Sequence, residues 1–298
     1  MGHLTAIVLG AAAGGGFPQW NCRCPVCSLA WDGDARVRRS TQASLAVTAD
    51  GKRFVLFNAS PDLREQIAAT PALQPRESLR GSPIAAVALT GGEIDQTAGL
   101  LALRERHAFA IHASRETLEA VAANPMFTAL GPDIVARHAC AIGEPFAPID
   151  GLTAELFTVP GKVPLYLEGT EASEATANVG VELRAGDARL AFVPGAAGVP
   201  PPVKDRLASA NVVLFDGTLF RDDEMVRSGT GEKSGRRMGH MPIDGPDGTL
   251  AALEGLSGRR LFIHINNTNP ILIEDSPERA QVMQAGWAVA EDGMEIKL

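Results

Sequence analysis

The chain lacks the long apolar segments that would place it in a membrane. Its 298 residues contain no run of about 18 or more apolar residues. The N-terminus has no basic region ahead of its short apolar segment, so we predict neither a membrane span nor a secretory signal. The compartment expected for such a sequence is the cytoplasm.

Basic residues are in the minority. The 27 lysines and arginines are outnumbered by 35 aspartates and glutamates, which gives a formal net charge of -8 and a pI near 5.3. No segment supplies the basic face that binds a phosphate backbone or an anionic membrane surface. We therefore expect no nucleic-acid partner.

Cysteine is scarce, and its distribution is uneven. Four cysteines are too few for a disulfide framework in a chain of this length. Three of them, Cys22, Cys24 and Cys27, lie within six residues, so one tight loop could wrap a soft cation. Zinc would take these thiolates and a fourth ligand from a distant part of the chain, and the alternative is three buried cysteines without metal. We predict a structural zinc, and we expect Cys140 to be a small core residue.

Strand-like and helix-like segments alternate along the whole chain. An apolar, partly β-branched run predicts a strand at residues 5–10, and pairs of Asp and Gly predict hairpins at residues 50–51, 186–187 and 292–293. Ser114 and Ser276 are expected to cap helices. Residues 194–202, with four prolines, are expected to be irregular, and residues 164–177 to form an exposed acidic loop. No linker or internal repeat interrupts the pattern, so we predict one α/β domain over residues 1–298.

A polar turn follows the buried strand predicted for residues 85–89. The turn contains Glu93, Asp95 and Gln96 and leads into a helix. A strand that ends in such a turn commonly holds functional groups at the edge of a sheet. Two carboxylates and an adjacent amide could converge there on one cation or one proton, so this turn is a candidate metal site.

Three further residues occupy positions typical of functional sites. His240 lies in the glycine-rich, basic stretch 231–245, where it is either a proton donor or ligand or an ordinary loop histidine. His264 ends a predicted strand and precedes a cluster of asparagines that is denser than a simple turn requires. Asp216 ends another predicted strand, although Asp-Gly-Thr is also a frequent turn sequence.

Five strings spread over the chain carry a resemblance to a known family. They are residues 9–24 (LGAAAGGGFPQWNCRC), 57–62 (FNASPD), 215–218 (FDGT), 238–241 (MGHM) and 264–270 (HINNTNP). With these strings the whole chain resembles the metallo-β-lactamase superfamily, and more closely its branch that acts in the biosynthesis of pyrroloquinoline quinone (PQQ). The resemblance implies an αββα four-layer sandwich with metal ligands at strand ends along one edge.

The superfamily's metal motif, His-x-His-x-Asp-His, is largely lost. Its places are held here by Gly91, Glu93, Asp95 and Gln96, and two later ligand positions match Gly161 and Gly195. His264 matches the last histidine of the set, and His240 matches a histidine that assists catalysis in a phosphodiesterase branch with a similar cysteine loop. Dinuclear zinc hydrolysis needs about six or seven ligands, so the resemblance does not extend to that activity.

The remaining residues suit a single ion. Glu93, Asp95 and His264, with Asp216, His240 or Gln96 close by, imply an oxygen-rich site of the kind that iron or manganese accepts. For the cysteine loop, the phosphodiesterase branch takes its fourth zinc ligand from a histidine whose place is held here by Asn267. Either Asn267 supplies an oxygen, or another group such as Asn269 or water completes the shell.

The resemblance implies a function in PQQ biosynthesis. The expected reaction is Fe²⁺- and O₂-dependent hydroxylation of the tyrosine ring in a Glu-Tyr-derived precursor, with Asp95 as the central ligand and His240 moving protons. The alternative is a soluble carrier that takes PQQ or its precursor toward the periplasm without catalysis. Other proteins of PQQ biosynthesis are expected partners, and the sequence leaves open whether the chain forms a homo-oligomer.

Overall fold

Two seven-stranded sheets pack face to face in a computed structural model, which describes residues 3–76, 79–164 and 178–298. The first sheet has the order β14-β1-β2-β3-β4-β5-β6, and the second has the order β13-β12-β11-β10-β9-β8-β7. The strands are β1 Thr5–Gly10, β2 Ser44–Thr48, β3 Phe54–Phe57, β4 Ile84–Ala88, β5 Phe109–Ala113, β6 Val135–Ala139, β7 Pro145–Ile149, β8 Leu152–Thr158, β9 Val179–Ala185, β10 Ala188–Val193, β11 Val212–Asp216, β12 Arg259–Ile263, β13 Trp287–Val289 and β14 Glu295–Lys297.

Helices cover the outer face of each sheet. The α-helices are α1 Pro25–Trp31, α2 Leu63–Ala69, α3 Ile94–Thr97, α4 Arg115–Ala122, α5 Pro201–Ala208, α6 Glu224–Arg227, α7 Thr249–Ala252 and α8 Pro277–Gln284, and short 3₁₀ helices span Pro71–Leu73, Ala98–Leu103, Pro125–Ala129, Arg236–Met238 and Pro270–Leu272. No helix among the described residues has the length and apolar character needed to cross a membrane.

The central strands of each sheet, such as β2, β3 and β11, are buried on both faces, because each sheet is covered on both sides. In β1, Ala6 and Val8 belong to the core between the sheets, whereas Ile7 and Leu9 belong to the core beneath the outer helices of the first sheet. A third core lies between the second sheet and its own helices, where Phe215 packs edge-on to Trp287. The alternation of side chains along these central strands therefore builds three apolar layers, which are those of a four-layer αββα sandwich.

Several local predictions are confirmed. β1 has the predicted bounds, and hairpins join β2 to β3 and β9 to β10. The Ser114 hydroxyl accepts from the Thr117 amide at 3.2 Å and begins α4. The Ser276 hydroxyl accepts from the Arg279 amide at 3.0 Å and begins α8.

The predicted hairpin at residues 292–293 is wrong, because its two flanking strands join different sheets. β13 pairs with β12 in the second sheet, and β14 pairs with β1 in the first. The Asp292 carboxylate accepts from the Ala11 amide at 3.1 Å and from the Thr41 amide at 2.7 Å. These hydrogen bonds attach the segment that connects β13 to β14 to the residue that follows β1.

The irregular segment predicted for residues 194–202 is too long. α5 begins at Pro201, because the fixed φ of proline and its missing N–H suit the first turn of a helix. Apart from Pro164, the exposed acidic loop predicted for residues 164–177 lies outside the described residues.

Candidate functional site

A pocket of about 460 Å³ opens at the edge of the sandwich where several strands end. Segments that follow β4, β8, β10, β11 and β12 line it, together with the glycine loop after β1. Its lining includes Gly14, Glu93, Asp95, Gln96, Lys162, Asn178, Gly195, Thr218, Lys233, His240, His264 and Asn266. The fold thus gathers five of the six residues predicted for a second metal site around one cavity, and Asp216 lies just behind it.

Asp95 and His264 face each other in this pocket. The Nε2 atom of His264 lies 3.0 Å from an Asp95 carboxylate oxygen, and both side chains are largely buried. Burial favours the neutral carboxyl, but the hydrogen bond and charge of His264 outweigh it and lower the pKa of Asp95. Burial likewise opposes the imidazolium, but Asp95 raises the pKa of His264 above its ordinary value. Each residue of the pair thus stabilises the charged form of the other. The fold brings them together although they are 169 positions apart in the sequence.

Asp216 lies behind the two histidines with both of its oxygens occupied. Its Oδ1 accepts from the Thr218 amide at 3.0 Å and from the Thr218 hydroxyl at 2.6 Å. Its Oδ2 accepts from the Ala196 amide at 2.8 Å and lies 2.7 Å from Nδ1 of His240. Burial raises the pKa of this fully buried carboxyl, but the nearby His240 charge reverses the effect and leaves the pKa lowered.

Thr218 connects the two imidazoles. Its hydroxyl oxygen lies 3.0 Å from Nδ1 of His240 and 2.9 Å from Nδ1 of His264. The rings of these histidines are stacked, with centroids 5.2 Å apart. We assign the Nδ1 proton of His240 to its bond with Asp216, which leaves Nε2 of His240 with a lone pair for a ligand or a proton.

Two of the predicted oxygen ligands have other contacts. The Gln96 side-chain oxygen accepts from the Glu93 amide at 3.1 Å, so it closes the first turn of α3. Glu93 is the N-cap residue of that helix and also lines the pocket. Of the predicted set, Asp95, His240 and His264 line the cavity and contact one another in turn: Asp95 lies 3.0 Å from His264, and the rings of His264 and His240 are stacked.

An asparagine takes the space near the two glycines that match lost ligands. A Cβ atom at Gly161 would fall 2.5 Å from Nδ2 of Asn178, and that same nitrogen donates to the Gly195 carbonyl at 2.8 Å. Sequence reasoning missed Asn178, which has no motif around it. It also missed Thr218, although the string Asp-Gly-Thr was noticed as a turn.

The three clustered cysteines form a second site. Their sulfur atoms lie within 4.8 Å of one another, and Cys24 and Cys27 are buried. The Asn267 side-chain nitrogen lies 3.2 Å from Sγ of both Cys22 and Cys27. The backbone carbonyl oxygen of Asn267 lies 3.7 Å from Sγ of Cys24. The side-chain amide of Asn267 therefore lies beside the three sulfurs. Rotation of this amide by half a turn exchanges its nitrogen and oxygen, which would place the oxygen at the fourth ligand position.

This donor set fits zinc. Burial raises the pKa of the Cys24 thiol to about 12 and also raises the pKa of Cys27, so without a cation these thiols hold their protons. A bound divalent cation would offset that burial by pairing with thiolates. Three converging sulfurs and one amide group give the four positions of a tetrahedral shell.

One short segment joins the two sites. His264 reaches the pocket and Asn267 reaches the sulfurs, with two residues between them. The backbone of His264 has φ of 59°, a left-handed conformation that is uncommon outside glycine. Backbone hydrogen bonds of Ile265 to Ala11 and Ala13 hold the segment in this shape. The orientation of His264 is thus set by neighbours on both sides.

Comparison with known proteins identifies the family. A family model described as "Beta-lactamase superfamily domain" matches residues 53–265. "Coenzyme PQQ synthesis protein B" from Methylobacterium nodulans is 54% identical, with 99% of this chain and 100% of that protein covered. The protein of that name from Xanthomonas oryzae is 51% identical over the same shares of the two chains.

Solved structures agree with the sequence relatives. The crystal structure of Zn²⁺-bound PqqB from Methylobacterium extorquens matches with a TM-score of 0.96 and 52% identity, covering 99% of this chain and 100% of that one. A diphosphatase from the PhnP family matches with a TM-score of 0.67 at 20% identity, covering 99% and 97%, which shows the shared fold alone. The predicted resemblance and the predicted fold are confirmed, and the chain belongs to the coenzyme PQQ synthesis protein B family of the β-lactamase superfamily.

Proposed function

We propose that this protein serves PQQ biosynthesis as an Fe²⁺- and O₂-dependent hydroxylase of the tyrosine ring in a Glu-Tyr-derived precursor. The observation that carries the proposal is that Asp95, His240 and His264 line one pocket, in which Asp95 lies 3.0 Å from His264. One ligand atom from each of His240, His264 and the buried Asp216 lies within 4.8 Å of the others. A pocket of about 460 Å³ has the size of a site for a small organic molecule.

The donor types in the pocket fit ferrous iron. Two imidazoles and one carboxylate are the ligand set of many non-haem Fe(II) oxygenases, in which the bound ion supplies the one-electron chemistry that activates O₂. Asp95, His240 and His264 would hold the ion. Asp216 has both oxygens occupied by hydrogen bonds, so we assign it to orienting His240. Glu93 lines the same cavity and stays in the proposed ligand set, whereas the Gln96 oxygen is engaged at the start of α3.

The proposed reaction replaces a ring C–H bond with C–OH. One oxygen atom of O₂ enters the ring and the other leaves as water, which consumes two electrons and two protons. The electrons come from an external two-electron reductant of the thiol or ascorbate class. Asp216 fixes Nδ1 of His240, so this histidine would present Nε2 to the ion or, when no ion is bound there, to a proton. Asp95 stabilises a proton on His264 when no ion is bound.

We also propose that Cys22, Cys24 and Cys27 bind one structural zinc, with Asn267 at the fourth position. The support is the convergence of the four side chains and the zinc in the 52%-identical relative. Protein purified without chelators should contain about one zinc per chain. Zinc well below that amount would contradict the assignment.

The hydroxylase proposal can be tested by metal loading and oxygen consumption. Anaerobic addition of Fe²⁺ should yield a second bound metal beyond zinc, and addition of precursor, reductant and O₂ should consume oxygen and give a hydroxylated ring by mass spectrometry. Asp95→Ala should lose the second metal and the turnover but keep the zinc. Unchanged turnover in this variant would overturn the residue assignment, and the absence of both iron binding and oxygen uptake would overturn the hydroxylase.

A carrier of PQQ or its precursor is the second candidate. It is favoured by the Asn178 amide, which takes the space next to Gly161 where a superfamily ligand stands, and by the engaged oxygen of Gln96. A carrier would bind the precursor without iron and would consume no oxygen. Three predictions apply to either function and remain predictions. They are location in the cytoplasm, contact with other proteins of PQQ biosynthesis, and assembly into a homo-oligomer.

A further inference from the structure

We propose that Lys162 and Lys233 form a carboxylate-binding pair that selects an aromatic substrate with at least two carboxylate groups. This inference rests on the proposed role of the pocket in binding a PQQ precursor. It assigns a substrate class and two specificity-determining residues that sequence reasoning did not identify.

The first observation is where the lysines lie. The whole chain has only five lysines, and Lys162 and Lys233 both line the pocket. Besides histidines, the other basic residues of the chain are arginines, and no arginine among the described residues lines this cavity. A lysine carries a compact point charge on a flexible stem, so it can follow a carboxylate without the fixed planar geometry that arginine imposes.

The second observation is how Lys162 is held. A Cβ atom at Gly239 would fall 2.9 Å from Cγ of Lys162 and 3.3 Å from its backbone nitrogen. Gly239 has φ of 87° and directly precedes His240. The lysine stem therefore packs against the backbone next to a catalytic histidine, in space that only glycine leaves open.

Lys233 lies on the loop that delivers His240. That loop is anchored two and three residues further on, where the Gly235 amide donates to the Asp222 carbonyl at 2.9 Å and the Arg236 amide donates to the Asp222 carboxylate at 2.8 Å. The Lys233 side chain is exposed at the rim of the pocket. Anchoring keeps its charge close to the cavity, while the exposed end can move to meet a ligand.

The charges around the cavity explain why such a pair is needed. Glu93 and Asp95 line the same pocket, and the chain as a whole has a net charge of -8. An anionic substrate approaching these carboxylates is repelled unless cations lie within a few ångströms of its own charges. A molecule built from glutamate and tyrosine keeps the carboxylates of both amino acids. Two lysines beside the two histidines would bind those groups and leave the ring next to Asp95 and His264.

The test compares a charged and an uncharged form of one aromatic probe. The zinc-containing, iron-free protein is titrated with PQQ, which has three carboxylates, and with its trimethyl ester, and binding is measured by calorimetry. Lys162→Met and Lys233→Met should each weaken PQQ binding about tenfold, as expected for loss of one charge-assisted contact, and the double variant about 100-fold if the contacts are independent. Lys162→Arg and Lys233→Arg should keep most of the affinity.

Lys204→Met is the matched control, because it removes an exposed lysine on α5 that does not line the pocket. This variant should bind PQQ like the unmodified protein, and the ester should bind all variants equally and weakly. Unchanged PQQ binding in both pocket variants, equal losses for PQQ and its ester, or no PQQ binding at millimolar concentration would each overturn the proposal. Oxygen uptake by the pocket variants distinguishes the hydroxylase proposal from the lysine proposal. If PQQ binding depends on the lysines but no oxygen is consumed, only the hydroxylase proposal is rejected. If oxygen is consumed but PQQ binding does not depend on the lysines, only the carboxylate-binding pair is rejected.

Discussion

Replacing Thr218 with valine should weaken metal binding in the pocket without removing any proposed metal ligand. Valine keeps the shape of threonine and deletes only the hydroxyl group. That hydroxyl lies 2.6 Å from Oδ1 of Asp216, 3.0 Å from Nδ1 of His240 and 2.9 Å from Nδ1 of His264. In the valine variant, His264 loses the hydroxyl that holds its Nδ1, whereas His240 loses one of two partners of its Nδ1 and keeps Asp216.

The expected magnitude follows from the burial of these contacts. A hydrogen bond to a charged group contributes about 1.5–3 kcal/mol, and Asp216 keeps the Thr218 amide as a donor to the same oxygen. We therefore expect the free energy of unfolding to fall by about 2 kcal/mol. Loss of a group that orients metal ligands typically lowers metal affinity about 10- to 100-fold, and we expect that range for Fe²⁺ in the pocket.

The assay is anaerobic titration with Fe²⁺, or with Co²⁺ as a spectroscopic substitute, on protein whose zinc content has been measured. Thr218→Ser is the matched control, because it restores the hydroxyl and loses only a methyl group. The serine variant should bind close to the wild-type value, and all forms should keep about one zinc per chain. Wild-type affinity in Thr218→Val, or an equal loss in Thr218→Ser, would refute the role assigned to the hydroxyl.

The sequence predicted the strands well where the signal is local. The run at residues 5–10 is largely apolar, partly β-branched and ends at Gly10, and the strand has those bounds. The turn at residues 50–51 joins neighbouring antiparallel strands, as an Asp-Gly pair predicts. The same pair at residues 292–293 gave a wrong hairpin prediction, because a turn sequence does not determine which sheet each flanking strand joins.

The residues of the site also differ in whether a local sequence signal or a long-range contact determines their role. Asp95 was predicted from the polar turn that follows a buried strand, and His240 and His264 stand in strings that resemble a family. Thr218 and Asn178 were missed because their roles depend on contacts across the fold: Thr218 meets a histidine 46 positions away, and Asn178 bonds to a carbonyl 17 positions away. Such contacts come from the pairing of β9, β10, β11 and β12, which no single segment specifies.

Three further changes test other parts of the structure. Burial raises the pKa of Glu224 to about 7, so ionisation of this carboxyl costs stability as pH rises from about 4.5 through 7. Glu224→Gln, which can still bond to Thr268, should leave stability nearly unchanged near pH 4 and raise it by up to about 3 kcal/mol at pH 8 in denaturant melts. A difference in stability that does not change with pH would contradict this sign. Gly161→Ala should lower the melting temperature, because its Cβ would fall 2.5 Å from the Asn178 amide, and Asn178→Ala in the same chain should restore part of the loss. Cys27→Ser should release the zinc and, because residues 264–267 join the sulfurs to the pocket, also weaken Fe²⁺ binding about tenfold or more. Cys140→Ser is its control, since Cys140 lies in the core between the sheets. Zinc loss with unchanged Fe²⁺ affinity would show that the pocket histidine keeps its orientation without the zinc, so that the two sites are neighbours but not coupled.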